Sequence, residues 1–199
     1  MPSLTKQILS YAETLPEGTP LSAKGLLHLG NRAAVDQTLS RLARRGEMLR
    51  FGRGVYVRPV KTKYGTRPPL PEKAVAQFAA THGETIVPSG AAAANALGLT
   101  TQVPVRSVYL TSGRSRHLTL GRQTVQLKHA KSWQLVHAHE RVGQALRALE
   151  WLGPHGAGQG LAALRLQLEP REFEEMQALR PVLPGWLAQT ISASVAAHG

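Results

Sequence analysis

Leu4, Ile8, Tyr11 and Leu15 recur at helical spacing, so an amphipathic helix opens the chain with Ser3 placed to cap it. The stretch PEGTP breaks that pattern. Ser22 then precedes AKGLLHLG, a short apolar run that predicts a second helix ending at Gly30. On a helical wheel Leu39 and Leu42 fall within about 40° of Val35, which predicts a third helix over 31–45. Asn31 can cap it, and Gly46 stands where a left-handed residue is wanted. EMLRFGRGVYVRP follows as two short strands around Gly52-Arg53-Gly54. Three helices and a hairpin in this order predict an N-terminal winged helix-turn-helix over 1–60.

KTKYGTRPPLP, residues 61–71, is basic and carries three prolines and a glycine, which predicts a linker. The texture then changes. EKAVAQFAATHG reads as a helix, ETIVP as a short strand and SGAAAANALGL as a helix of small residues. VRSVYLTS, HLTL and TVQLKHA read as strands, with Gly113 and Gly121 at the turns. From His139 the pattern is helical again, and GPHGAGQG (153–160) reads as a flexible connection between helices. The expected fold class is therefore α+β: a winged helix-turn-helix, a mixed α/β domain over 72–153, and a helical C-terminal extension over 154–199. No apolar run approaches the ~18 residues of a membrane span, and the N-terminus is too amphipathic for a secretory leader.

Charge narrows the partner. The chain carries +12, unevenly spread: +5 over residues 1–60, +8 over 61–131 and −1 over 132–199. Such a balance favours nucleic acid, and the basic residues do not line up on one amphipathic helix as a membrane surface would ask. The chain has no cysteine, which excludes disulfides and thiolate chemistry and suits a cytoplasmic protein.

The third helix turns Ala33, Gln37, Ser40 and Arg44 away from its apolar stripe, with Arg41 on the shoulder. Glutamine suits adenine edges, arginine suits guanine or phosphate, and alanine can touch a thymine methyl. Asn31 and Arg32 lie at the amino end, which in helix-turn-helix proteins faces the bases. Asp36 is placed to orient Arg32. Arg50, Arg53 and Arg58 surround the hairpin turn, where an arginine enters the minor groove or clamps a phosphate. With Arg45, these residues make up the candidate surface for double-stranded operator DNA. A solvated helix face beside an ordinary hairpin is the plainer alternative. Arg106, Arg114, Arg116, Arg122, Lys128 and Lys131 form a candidate second basic surface, or else the wet face of a half-buried sheet.

At this point SRLARRGEMLRFGRGVYVRP resembles the N-terminal winged helix of AbiEi-type antitoxins, the repressor halves of type IV toxin–antitoxin systems. VPSGAAAANALGLTTQVPVRSVYLTSGRSRHLTLGRQTVQLKHA is similar to that family's second domain. The resemblance implies a cytoplasmic antitoxin and autorepressor that binds operator repeats and counters a nucleotidyltransferase-like toxin, with or without a stable complex. It carries over onto Arg41, Arg44, Arg45, Arg50 and Arg53, and it implies no catalytic residue. A stand-alone regulator is one alternative, and an RNA- or protein-binding module acting by direct contact is another.

Other features carry less. HAHE (137–140) and His129 lack the spacing of a metal-binding helix, so no metal or other cofactor is expected. TSGRSR could hold a phosphate but lacks the lysine and helix of a P-loop. Asp36 is the sole aspartate, and Glu172, Glu174 and Glu175 read as the acidic start of a helix, so no enzyme is expected. The apolar residues of the last third, Trp151 and Trp186 among them, suit either core packing or a homodimer interface that would pair two reading heads.

Overall fold

Ser3 accepts the Lys6 amide at 3.4 Å and starts α1 (Leu4–Thr14), whose Ile8 and Ala12 are buried. The computed structural model describes residues 2–196. Met1 and the last three residues of the expected 154–199 extension lie outside the described residues. The class is mixed α+β, about half helical, with small sheets and a helical C-terminus. The chain divides into two compact units, residues 1–84 with 116–126, and residues 85–115 with 127–199.

In the first unit, Leu21 forms an isolated bridge to Tyr56, its amide donating at 2.7 Å and its carbonyl accepting at 2.8 Å. The expected second helix is only a 3-10 turn, Ala23–Leu26, and the Ser22 side chain does not cap it. Gly25 in the middle of so short a run weakens an α-helix, and the bridge at Leu21 holds the preceding backbone extended. Next is α2 (Arg32–Arg44), capped by Asn31, with Val35, Thr38, Leu39 and Leu42 buried. Gly46 follows at φ 74°, the left-handed position that ends the helix. Strands β1 (Leu49–Gly52) and β2 (Val55–Val57) pair antiparallel, with Arg50 opposite Tyr56. Ile8, Leu26, Val35, Leu39, Leu42, Met48 and Tyr56 share one core.

Residues 61–71, expected as a linker, instead continue the structure. β3 (Val60–Thr62) and β4 (Gly65–Arg67) form a second hairpin, closed by the Thr62 hydroxyl donating to the Gly65 carbonyl at 2.9 Å. The three prolines fall after β4, where no ladder amide is needed, and Pro71 opens α3 (Pro71–His82). Glu17 fastens this region: it accepts from Lys73 at 2.8 Å, Arg67 at 2.9 Å and the Leu70 amide at 3.0 Å. Those contacts, the Lys73 hydrogen bond first, hold its pKa down to about 2 against the burial that opposes them. Phe78 of α3 meets Phe51 edge-on at 5.8 Å. The later strand β7 (Arg116–Leu120) also belongs to this unit, and Leu118 approaches Gly52 of β1.

The second unit holds β5 (Ile86–Pro88), which pairs antiparallel with β6 (Ser107–Thr111), Val87 opposite Leu110. β8 (Gln123–His129) begins in the first unit and ends here. The small residues of α4 (Gly90–Ala96) let it lie tightly on α5 (Arg141–Arg165): a Cβ on Gly90 would stand 2.5 Å from the Arg147 carbonyl oxygen. Arg147 is itself buried and donates to the carbonyls of Gln134 and Ala138 at 3.2 and 3.0 Å. Burial lowers its pKa to about 10, which leaves it charged at neutral pH.

The glycine-rich stretch 153–160 is helical, not a flexible connection. α5 kinks at Gly153 (φ 69°, ψ 179°), and Pro154 begins its second half. Gly160 is packed, not loose: a Cβ there would lie 2.5 Å from Leu152 Cδ1. Ala157, Leu161 and Leu164 share a core with Ala145, Leu146 and Leu149, and with residues of α6 (Pro170–Ala178) and α7 (Gly185–Ala196). Trp186 packs against this core, whereas Trp151 stays exposed. Among the described residues, no helix is long and apolar enough to cross a membrane.

Candidate nucleic-acid interface

The outward side of α2 is open. Asn31, Arg32, Ala33, Gln37, Arg41, Arg44 and Arg45 are exposed and Ser40 is half-buried. The Asn31 side chain accepts the Ala34 amide at 2.9 Å, so it serves first as a cap. Arg32 and Asp36 approach to 3.9 Å, a loose exposed pair that steers the guanidinium more than it stabilises the helix. Arg41 donates to the Thr38 hydroxyl at 3.1 Å, and that hydroxyl donates to the Ala34 carbonyl at 2.7 Å. Thr38 therefore satisfies its own buried oxygen and fixes an outward arginine. The apolar stripe alone did not expose that role, though a threonine three residues before an arginine was a usable signal.

The hairpin separates its arginines. Arg53 stands exposed at the turn, flanked by Gly52 and by Gly54 at φ 67°. Arg50 and Tyr56, directly opposite across β1 and β2, share a face, and Arg50 reaches the tyrosine hydroxyl. Arg58 lies elsewhere. It is half-buried beside Leu15 and Gly18 at the end of α1, because the strand rise of ~3.3 Å per residue carries it away from the turn. There it joins Lys61, whose hydrogen bond is the larger influence, in lowering the pKa of Glu13. Arg58 therefore stands apart from the turn arginines with which its sequence position grouped it.

The second basic set divides between the units. Arg106, Arg114, Lys128 and Lys131 are exposed in the second unit, whereas Arg116 and Arg122 belong to the first. Arg116 leaves the candidate surface altogether. It forms an ion pair with Glu84 and lies 4.8 Å over the Phe78 ring, because the alternation of β7 turns it inward with Leu118 and Leu120.

The chain belongs to DUF6088, a family of unknown function. The profile of that family matches residues 7–160. The DUF6088 match thus spans α2, both N-terminal hairpins and the first part of α5. No curated protein matches the chain.

Among the described residues of this DUF6088 member, one grouping has the spacing of metal ligands: the ligand atoms of His137, Glu140 and Glu175 lie within 4.8 Å of one another. Their atoms are engaged with protein partners, His137 Nδ1 with Glu140 at 2.9 Å and Glu175 with Arg171 at 3.0 Å. TSGRSR closes a tight turn, its Gly113 amide donating to the Thr111 hydroxyl and its Ser115 hydroxyl accepting the His129 amide.

Proposed function

We propose that α1 through β2 act as a winged helix-turn-helix and that α2 is its recognition helix. The observation that carries this reading is the Leu21–Tyr56 bridge. It ties the segment between the first two helical elements to the second strand of the hairpin, which supports reading this run of helix, strand, turn, helix and hairpin as a winged helix. α2 then buries Val35, Leu39 and Leu42 on one side and leaves Gln37, Arg41 and Arg44 on the other. In this reading Gln37 and Arg41 meet base edges, and Arg53 at the wing tip clamps a phosphate or enters the minor groove.

The resemblance to AbiEi-type antitoxins extends the proposal to an autorepressor of a type IV toxin–antitoxin operon, acting in the cytoplasm against a nucleotidyltransferase-like toxin. Support comes from the two stretches that carry the resemblance and from the basic N-terminal two-thirds of the chain. The experiment is a binding titration of the whole protein on its own promoter duplex and on structured RNA, repeated over a range of salt. Tight, promoter-selective binding with a steep salt slope is the expected result. Equal binding to both polymers would remove the repressor, and a neighbouring gene unlike a nucleotidyltransferase would remove the antitoxin.

A further inference from the structure

The first unit is completed by residues distant in sequence, and those residues bring new polar groups to the edge of α2. β7 alternates along its length: Leu118 and Leu120 are buried, while His117 and Thr119 face solvent. Thr119 and Gly121 form one wall of an open cleft of about 380 Å³ whose other walls include Ser40 and Arg44 of α2 and Arg50 of β1. Two arginines and two hydroxyl-bearing residues thus line it, and no acidic residue does. Gly121, at φ 62°, makes a turn in which a Cβ would lie 2.8 Å from Pro68, and exposed Arg122 follows directly.

From this arrangement we infer that the cleft seats a phosphodiester of duplex DNA and that the β7–β8 turn is a third contact, with Thr119 as hydrogen-bond donor and Arg122 as counter-charge. The inference rests on α2 being the recognition helix. Ser40 and Arg44 belong to both surfaces, so one strand can run from the exposed side of α2 into the cleft. A small anion would not need that continuity, whereas a polyanionic strand would. The spacing also fits. Gln37 and Arg44 are seven residues apart, about 10 Å along a helix axis. A major groove is about 12 Å wide, so a helix end one groove-width from the bases meets the flanking strand. A hydroxyl and an arginine are the groups that commonly hold a backbone phosphate without reading sequence.

The test uses the full chain and its promoter duplex, with affinity measured by fluorescence anisotropy across a salt series. Arg122→Ala should weaken binding about fivefold and reduce the salt slope by ~0.9, one phosphate contact. Thr119→Val, which keeps a β-branched residue on the strand, should weaken binding about threefold without changing the slope. Lys63→Ala, an exposed charge on the β3–β4 hairpin outside the cleft, controls for loss of charge alone. Thermal melts should show all three variants as stable as the parent. If Arg122→Ala and Thr119→Val match Lys63→Ala while Arg53→Ala still weakens binding, the third contact is overturned and the winged-helix reading stands. If the parent protein shows no salt-dependent binding to the duplex, both fall together.

Discussion

Arg50 donates to the Tyr56 hydroxyl at 3.3 Å, and its guanidinium lies 5.6 Å from the centre of the same ring. The pair works because the two residues are directly opposite in the β1–β2 ladder. The ring of Tyr56 is part of the core, so Tyr56→Phe removes the hydroxyl and leaves the packing. That variant should lose promoter affinity by a factor of ~2–10, the ordinary value of one hydrogen bond. Arg50→Ala should lose more and lower the salt slope by ~0.9. Anisotropy titrations measure both, and an unchanged Tyr56→Phe affinity would show that Arg50 needs no positioning.

Gln37 and Arg53 should fail in different ways. Gln37 faces outward from the middle of α2, so Gln37→Ala should reduce the preference for operator over mutated operator by ~1–3 kcal/mol. Arg53→Ala should weaken every duplex alike. Competition assays on operator variants separate the two, and a sequence-specific loss from Arg53→Ala would contradict its role as a clamp.

Glu17 makes an acid-sensitive joint. Its carboxylate pKa is lowered in the fold to about 2, first by the Lys73 hydrogen bond. A depressed pKa means the stabilisation is fully present above the ordinary carboxylate value and is lost as pH falls through the folded one. Urea denaturation should show Glu17→Gln less stable than the parent by ~1–2 kcal/mol at pH 7, from weakened charge-assisted bonds. The gap should narrow from about pH 4.5 downward, as the unfolded parent's carboxylate takes up its proton first, and close as pH falls through the folded value of about 2. A gap independent of pH would mean that shape, not charge, holds this joint.

Gly18 and Gly54 both have positive φ, 86° and 67°, but only Gly18 is enclosed. A Cβ at Gly18 would come within 2.7 Å of Ala74 Cα, while at Gly54 it would meet open space. Gly54→Ala should therefore cost only the left-handed backbone term, ~1–2 kcal/mol. Gly18→Ala should cost that and a steric term besides, ~2–4 kcal/mol in all. Chemical denaturation compares them, and equal losses would mean that α3 moves aside without penalty.

What the sequence made legible was local. The stripe of Val35, Leu39 and Leu42 and the Gly52–Gly54 turn are short-range signals, and α2 and the β1–β2 hairpin lie where those signals put them. The Leu21 bridge is a single residue pair with no periodicity to read. The β3–β4 hairpin was masked by the prolines beside it, which act only after the strand ends. Glycines 153–160 read as flexible because composition cannot distinguish a loose glycine from one squeezed between Leu149 and Leu152. Arg116 looked like surface charge until strand alternation was fixed by Leu118 and Leu120. The clearest loss is the return of residues 116–126 to the N-terminal unit, a pairing across more than sixty residues that no local pattern announces.

That return has a consequence for synthesis. A ribosome that has released only the first 84 residues has not yet supplied Leu118, Leu120 or the Arg116 partner of Glu84. The nascent N-terminal segment must wait, incomplete, while a stretch destined for elsewhere is made. Any shortened gene ending between those points should yield a protein with a bare flank along β1, prone to proteolysis and a poor surrogate for the whole.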